Sequence, residues 1–189
     1  MFPGFSPKPM QPLDSIPIRS GVSTDAAELA AFAARAFEEA FGADNRPEDL
    51  RTHLMNAFGI PQQTRELLNP NMITLLAHQE GEIIAFAQIQ RKDPPPCVTV
   101  PRTIELHRFY VDRCAHGKGV AQRLMREVQR TARSFSAEHL WLGVWERNPR
   151  AIAFYTKMGF ADCGTTTFCV GPDRQTDRVM VAPVMAPDL

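Results

Sequence analysis

No run of apolar residues in this chain is long enough to cross a bilayer. The longest, such as residues 72–77, stop far short of the roughly 20 residues a membrane helix needs. The N-terminus lacks the charged and apolar regions of a secretion signal and carries four prolines within its first twelve residues. Lysine is scarce, with four residues, and no stretch is polybasic. Because 21 basic side chains balance 21 acidic ones, nucleic-acid binding by charge alone is excluded. Cys97, Cys114, Cys163 and Cys169 form no Cys-x-x-Cys pair, and the five histidines form no His-x-x-x-His, so neither a metal site nor a disulfide framework is expected. No internal repeat is present. These absences point to a reduced, cytoplasmic protein without a membrane or nucleic-acid partner.

What is present suits one domain of ordinary size, since 44% of the 189 residues are hydrophobic. Residues 1–14 read as a flexible, proline-rich leader and 15–189 as the domain. Residues 16–20 suggest a first strand. Asp25 is a natural N-cap with Glu28 three residues on, and Leu29, Phe32, Ala33, Ala36, Phe37, Ala40 and Phe41 then keep to one helical face. A shorter helix follows Pro47, and 61–68 adds a turn or two. Residues 72–78 and 83–90 read as a hairpin, and 103–112 as a strand. Val120, Leu124, Val128, Ala132 and Phe135 mark an amphipathic helix. A strand at 139–145, a helix at 148–158 and strands at 161–170 and 177–184 follow. Early helices and then alternating strands and helices indicate an α/β (α+β) fold around a mixed sheet.

Chemistry concentrates in two segments. Along the first strand Ile104 points in, Glu105 out, Leu106 in and His107 out, and the alternation slips at Arg108 and Phe109, as it does at a bulge. Gly117 and Gly119 then flank Lys118 where a helix begins. Such glycines let backbone N–H groups approach an anion, and a helix N-terminus favours negative charge. This is not a Walker motif, because Gly119 and Val120 stand where Ser or Thr is needed. The plainer alternative is a strand-to-helix turn that merely needs glycine. In the second segment, Trp141-Leu-Gly-Val-Trp145-Glu leads to Asn148, which can cap the helix that Pro149 opens. Ala151, Ile152, Tyr155 and Met158 share a face of that helix, where ordinary packing is again the alternative.

Taken together, a strand ending Phe-Tyr-Val, a Gly-x-Gly turn and a later Asn-x-x-Ala-x-x-Phe-Tyr-x-x-x-Gly-Phe resemble the GNAT N-acetyltransferase superfamily over 104–160. The closer likeness is to PaiA-type spermidine/spermine N-acetyltransferases, through the 141–146 run and Gln-Thr-Asp at 175–177. One departure is His116, where the superfamily turn usually begins with Gln or Arg; a neutral histidine still donates one hydrogen bond.

The resemblance implies a single domain with a central mixed, mostly antiparallel sheet of about seven strands, flanked by helices on both faces. It implies acetyl transfer from acetyl-CoA to a primary amine by direct attack. The pyrophosphate would sit on the amides of His116, Gly117, Lys118, Gly119, Val120 and Ala121. Phe109, Tyr110 and Val111 would align with the pantetheine arm, a bulge N–H there acting as an oxyanion donor, and Asn148 would bond the same arm. Tyr155 is the expected general acid, since a tyrosine near pKa 10 can supply the proton a thiolate leaving group of about 8.5 needs. Glu105 is the preferred base and His107 the other candidate, two solvated polar residues being the alternative for both. Glu38, Glu39 and Asp44 would form an acidic wall for a small-molecule amine, with a polyamine (spermidine or spermine) favoured. A protein or peptide acceptor and a non-catalytic CoA-binding regulatory module are the other readings. A homodimer is expected at family level.

Overall fold

The computed structural model describes residues 16–185, so the reading of 1–14 as a leader lies outside the described residues. The strand-forming runs assemble into one sheet: β1 (Ile18–Ser20), β2 (Met72–Gln79), β3 (Glu82–Gln90), β4 (Thr103–Val111), β5 (His139–Trp145), β6 (Ala161–Val170) and β7 (Asp173–Pro183). Their order is β1-β2-β3-β4-β5-β7-β6, and every neighbouring pair is antiparallel except β4 with β5. This is the mixed, mostly antiparallel seven-stranded sheet that was expected.

Helices cover both faces because the strands bury apolar residues on both. Helices α1 (Ala26–Phe41), α2 (Pro47–Phe58) and α3 (Ile60–Leu67) close the front face, where Leu29, Phe32, Phe37 and Phe58 pack on Leu76 and Phe86. Helices α4 (Val120–Ser134) and α5 (Pro149–Lys157) lie on the side where Leu124 and Val128 meet Ile89, Ile104 and Leu140. No helix among the described residues is long and apolar enough to cross a membrane.

Three local departures from the sequence reading have physical causes. Asp25 does not cap α1; its carboxylate accepts the Val22 N–H at 2.8 Å and binds Arg19 at 2.6 and 2.8 Å, while Glu28 accepts the Ile83 N–H at 2.8 Å. A guanidinium within reach outbids the cap, since ionised partners make the stronger bond. Residues 60–67 are a full helix, because a buried polar network holds α3 to the sheet. There Arg108 binds Glu66 and, at 2.6 Å, Gln88 Oε1, while Gln88 Nε2 donates to Glu66 at 3.0 Å. Finally, β7 begins at Asp173, ahead of the expected 177.

The bulge sits at His107, just before the position where the alternation slips. Gln88 pairs with Arg108 and Ile89 with Leu106, which leaves His107 as the extra residue. On its other side β4 pairs with β5 only from Thr103 to Glu105. Beyond that point the two strands diverge, and their facing backbone groups lose a ladder partner within the sheet.

Candidate active site

The divergence of β4 and β5 opens a cleft of about 960 Å³ that runs from the start of α4 to the C-terminal end of α1.

At one end is the turn expected to cradle an anion. Gly117 and Gly119 hold φ of 72° and 77°, and a Cβ on Gly117 would meet nothing within 4 Å; backbone conformation rather than crowding therefore calls for glycine there. Two of the six expected amides are already engaged in the turn: His116 N–H donates to Arg113 O at 3.2 Å and Lys118 N–H to Ala115 O at 3.4 Å. Among the described residues the amides of Gly117, Gly119, Val120, Ala121 and Gln122 have no backbone acceptor, as the first helical bond at this end is Arg123 N–H to Gly119 O at 3.1 Å. The set of unengaged amides therefore extends one residue past the expected segment. Lys118 is exposed outside the cleft lining, and the Val120 side chain packs in the core. His116 Nε2 lies 2.9 Å from Val111 O, so its donor ties the turn to the end of β4 instead of facing an incoming phosphate. Sequence reasoning missed Arg113, Arg147 and Arg150, exposed cations at the rim of the same cleft. Two of them flank Asn148 and Pro149 in the motif already read, but nothing local showed which way they face.

The middle of the cleft is aromatic. Phe109 stacks on Phe154 at 5.6 Å and meets Tyr155 edge-on at 6.3 Å, while Tyr110 turns to the other face and stacks on Phe86 at 5.4 Å. With Val111, all three residues of the run line the cleft. Asn148 Oδ1 caps α5 by accepting the Ala151 N–H at 3.0 Å, which leaves the Nδ2 donors for a ligand. Tyr155, only 8% exposed, lines the cleft beside Phe160. Burial pushes its hydroxyl well above the ordinary tyrosine range, with the hydroxyl of Tyr110 adding to the effect, so it keeps its proton at any physiological pH.

Glu105 proves buried, at 6% exposure, rather than solvated, because it lies opposite Gln90 in the β3–β4 ladder and within reach of Lys92. Its carboxylate accepts from Gln90 Nε2 and from Lys92 Nζ at 3.2 Å, and lies 3.6 Å from His107 Nδ1. Burial opposes its charge, but His107, Gln90 and Lys92 together outweigh that and hold the carboxyl below the usual glutamate range. An anion so well satisfied is a weak proton acceptor. His107, half-buried and in the cleft lining, is the less committed of the two.

Toward α1 the cleft takes in Glu39 and Asp44 but not Glu38. The helical step of about 100° per residue carries Glu38 out of the arc that holds Phe37, Glu39 and Phe41. Trp145, edge-on to Phe41 at 5.8 Å, and Asp177 complete this end. Asp177 was noted only as part of a likeness, and its position across the sheet was not readable from its own segment.

Residues 30–160 match the Acetyltransferase (GNAT) family. An uncharacterised N-acetyltransferase of Mycobacterium tuberculosis is 37% identical over 158 residues, covering 84% of this chain and 97% of that protein. A spermine/spermidine N(1)-acetyltransferase of Bacillus subtilis is 25% identical over 92 residues, 48% of this chain and 60% of that protein. The PaiA N-acetyltransferase of Thermoplasma acidophilum, solved in complex with coenzyme A, shares the fold with a TM-score of 0.73 at 18% identity, covering 89% of this chain and 99% of that one. The chain belongs to the GNAT acetyltransferase family. Within that family it is an acetyl-CoA-dependent N-acetyltransferase, which sets aside the reading as a non-catalytic module.

Proposed function

We propose that the enzyme acetylates a small cationic amine, with a polyamine the favoured acceptor, by direct attack on the bound acetyl group. The observation that carries this reading is the composition of the acceptor end: Phe41 and Trp145 stand beside Glu39, Asp44 and Asp177 in one cleft. Aromatic faces and carboxylates both favour ammonium groups. The Bacillus subtilis relative, which covers part of the chain, points the same way.

Acetyl-CoA supplies an acetyl group activated as a thioester. The amides of Gly117, Gly119, Val120, Ala121 and Gln122 bind its diphosphate, with Arg113, Arg147 and Arg150 at the rim. The β5-facing edge of β4 from Phe109 to Val111, which has no ladder partner on that side, and the Asn148 amide orient the pantetheine arm. His107 receives the proton of the acceptor ammonium at Nε2, because Glu105 engages Nδ1. Tyr155 holds a proton at Oη for the leaving sulfur, and the rings of Phe109, Phe154 and Phe160 keep water from it.

Release of free CoA thiol from acetyl-CoA tests this against spermidine, spermine, an arylalkylamine, an aminoglycoside and a lysine peptide. A kcat/KM for the polyamines at least tenfold above the rest is expected. Preference for the peptide or a monoamine would overturn the polyamine assignment.

A further inference from the structure

The runs 141–146 and 175–177 lie far apart in sequence and take no part in the cradle, yet the β5–β7 ladder brings them face to face. Trp145 pairs with Asp177 and Gly143 with Val179, so the two-residue period puts Trp141, Gly143, Trp145, Gln175 and Asp177 on one face of the sheet. All five line the cleft. Gly143 leaves room for the arrangement: a Cβ there would stand 3.2 Å from Asp177 Oδ2, a tight contact. The Asp177 carboxylate therefore rests over the β5 backbone, between two tryptophan positions.

Among the described residues nothing pairs with that carboxylate. The neighbouring cation, Arg178, is bound to Asp162, and the amide of Gln175 donates to Asn45 at 3.0 Å and Asp173 at 2.8 Å. A second unsatisfied group lies on the same face. Trp141 is 4% exposed and its Nε1–H has no acceptor, although buried indoles ordinarily find one. A half-buried anion without a cation and a buried donor without an acceptor, on one face of the sheet and in one cleft, describe a site that a ligand completes. Desolvation and the nearby charge of Glu146 push the Asp177 carboxyl up to about 6, as befits a carboxylate whose counter-ion is absent. Glu105, already neutralised by Lys92, offers no such open charge.

We propose that Asp177, framed by Trp145 and Phe41 over the gap left by Gly143, binds the ammonium group of the acceptor and sets the enzyme's preference for cationic amines. The assignment rests on the amine-acceptor reading above. It is tested by steady-state kinetics of wild type, Asp177→Asn and Gly143→Ala, with spermidine and with an aniline that is uncharged at neutral pH. Asp177→Asn keeps the shape and removes the charge. It should raise KM for spermidine at least tenfold, with KM for acetyl-CoA and the kinetics with the aniline unchanged within twofold. Gly143→Ala, which displaces the carboxylate, should shift KM for spermidine in the same direction by a smaller factor. A wild type active on spermidine with an Asp177→Asn KM within twofold of it would overturn this inference alone. A wild type that acetylates no amine would overturn the acceptor reading, and this inference with it.

Discussion

On β4, Glu105 is enclosed by Gln90, Lys92 and His107, and its neighbour Arg108 is matched by Glu66 and Gln88. Across the same cleft on β7, Asp177 is half-buried and has no partner among the described residues. One carboxyl is held below its ordinary range and the other pushed up to about 6. The contrast separates two uses of buried charge. On β4 the protein satisfies its own ions and gains a fixed frame for the site; on β7 it leaves a charge open, at a cost in stability, for something that binds later.

The contrast should break first in stability. Arg108→Ala strands Glu66 in a buried network, and losing one partner of such a pair costs about 3–5 kcal/mol, a fall in Tm of order 10 °C in a chain of this size. Thermal unfolding checks it, and a drop of only about 1 °C would mean that β4 is not fixed by its ion pairs.

Smaller, and confined to the rate, is His107→Gln. If His107 receives the acceptor proton, kcat at neutral pH should fall about 100-fold with KM for acetyl-CoA unchanged. Gly119→Ala forces a side chain into a left-handed conformation and should destabilise by about 1–2 kcal/mol while weakening acetyl-CoA binding, readable by calorimetry.

The smallest effect has the opposite sign. The raised Asp177 carboxyl means that the folded protein holds this proton more tightly than the unfolded chain does, so wild-type stability declines as pH rises from about 4 through 6. Asp177→Asn escapes that penalty. It should be more stable than wild type by about 1–2 kcal/mol above pH 6, with the advantage fading as pH falls toward 4. Equal Tm values at pH 8 would show that Asp177 is not strained in the free enzyme.

The local geometry of the glycine turn and of the α5 segment was largely readable from sequence because each part is contiguous. Glycines at a strand-to-helix turn, Asn148 before Pro149, and Tyr155 on the face of Ala151 and Ile152 are relations within a few residues. Even there, the direction of the His116 donor depended on where Val111 O ends up; elsewhere, the cap expected of Asp25 was lost to Arg19 from another element. The acceptor half was much less readable. Glu38 and Glu39 are adjacent in sequence yet fall on opposite sides of a boundary set by how α1 packs. Trp145 and Asp177 become neighbours only because β7 enters the sheet between β5 and β6.

By itself the sequence determined most of the helices and strands, the glycine turn before α4 and the family likeness, because propensity, capping and hydrophobic period act over short stretches of chain. Only the tertiary structure decided which carboxylate is neutralised and which stays open. Electrostatic pairing depends on distance in space, and the bulge at His107 and the order of the last three strands set those distances.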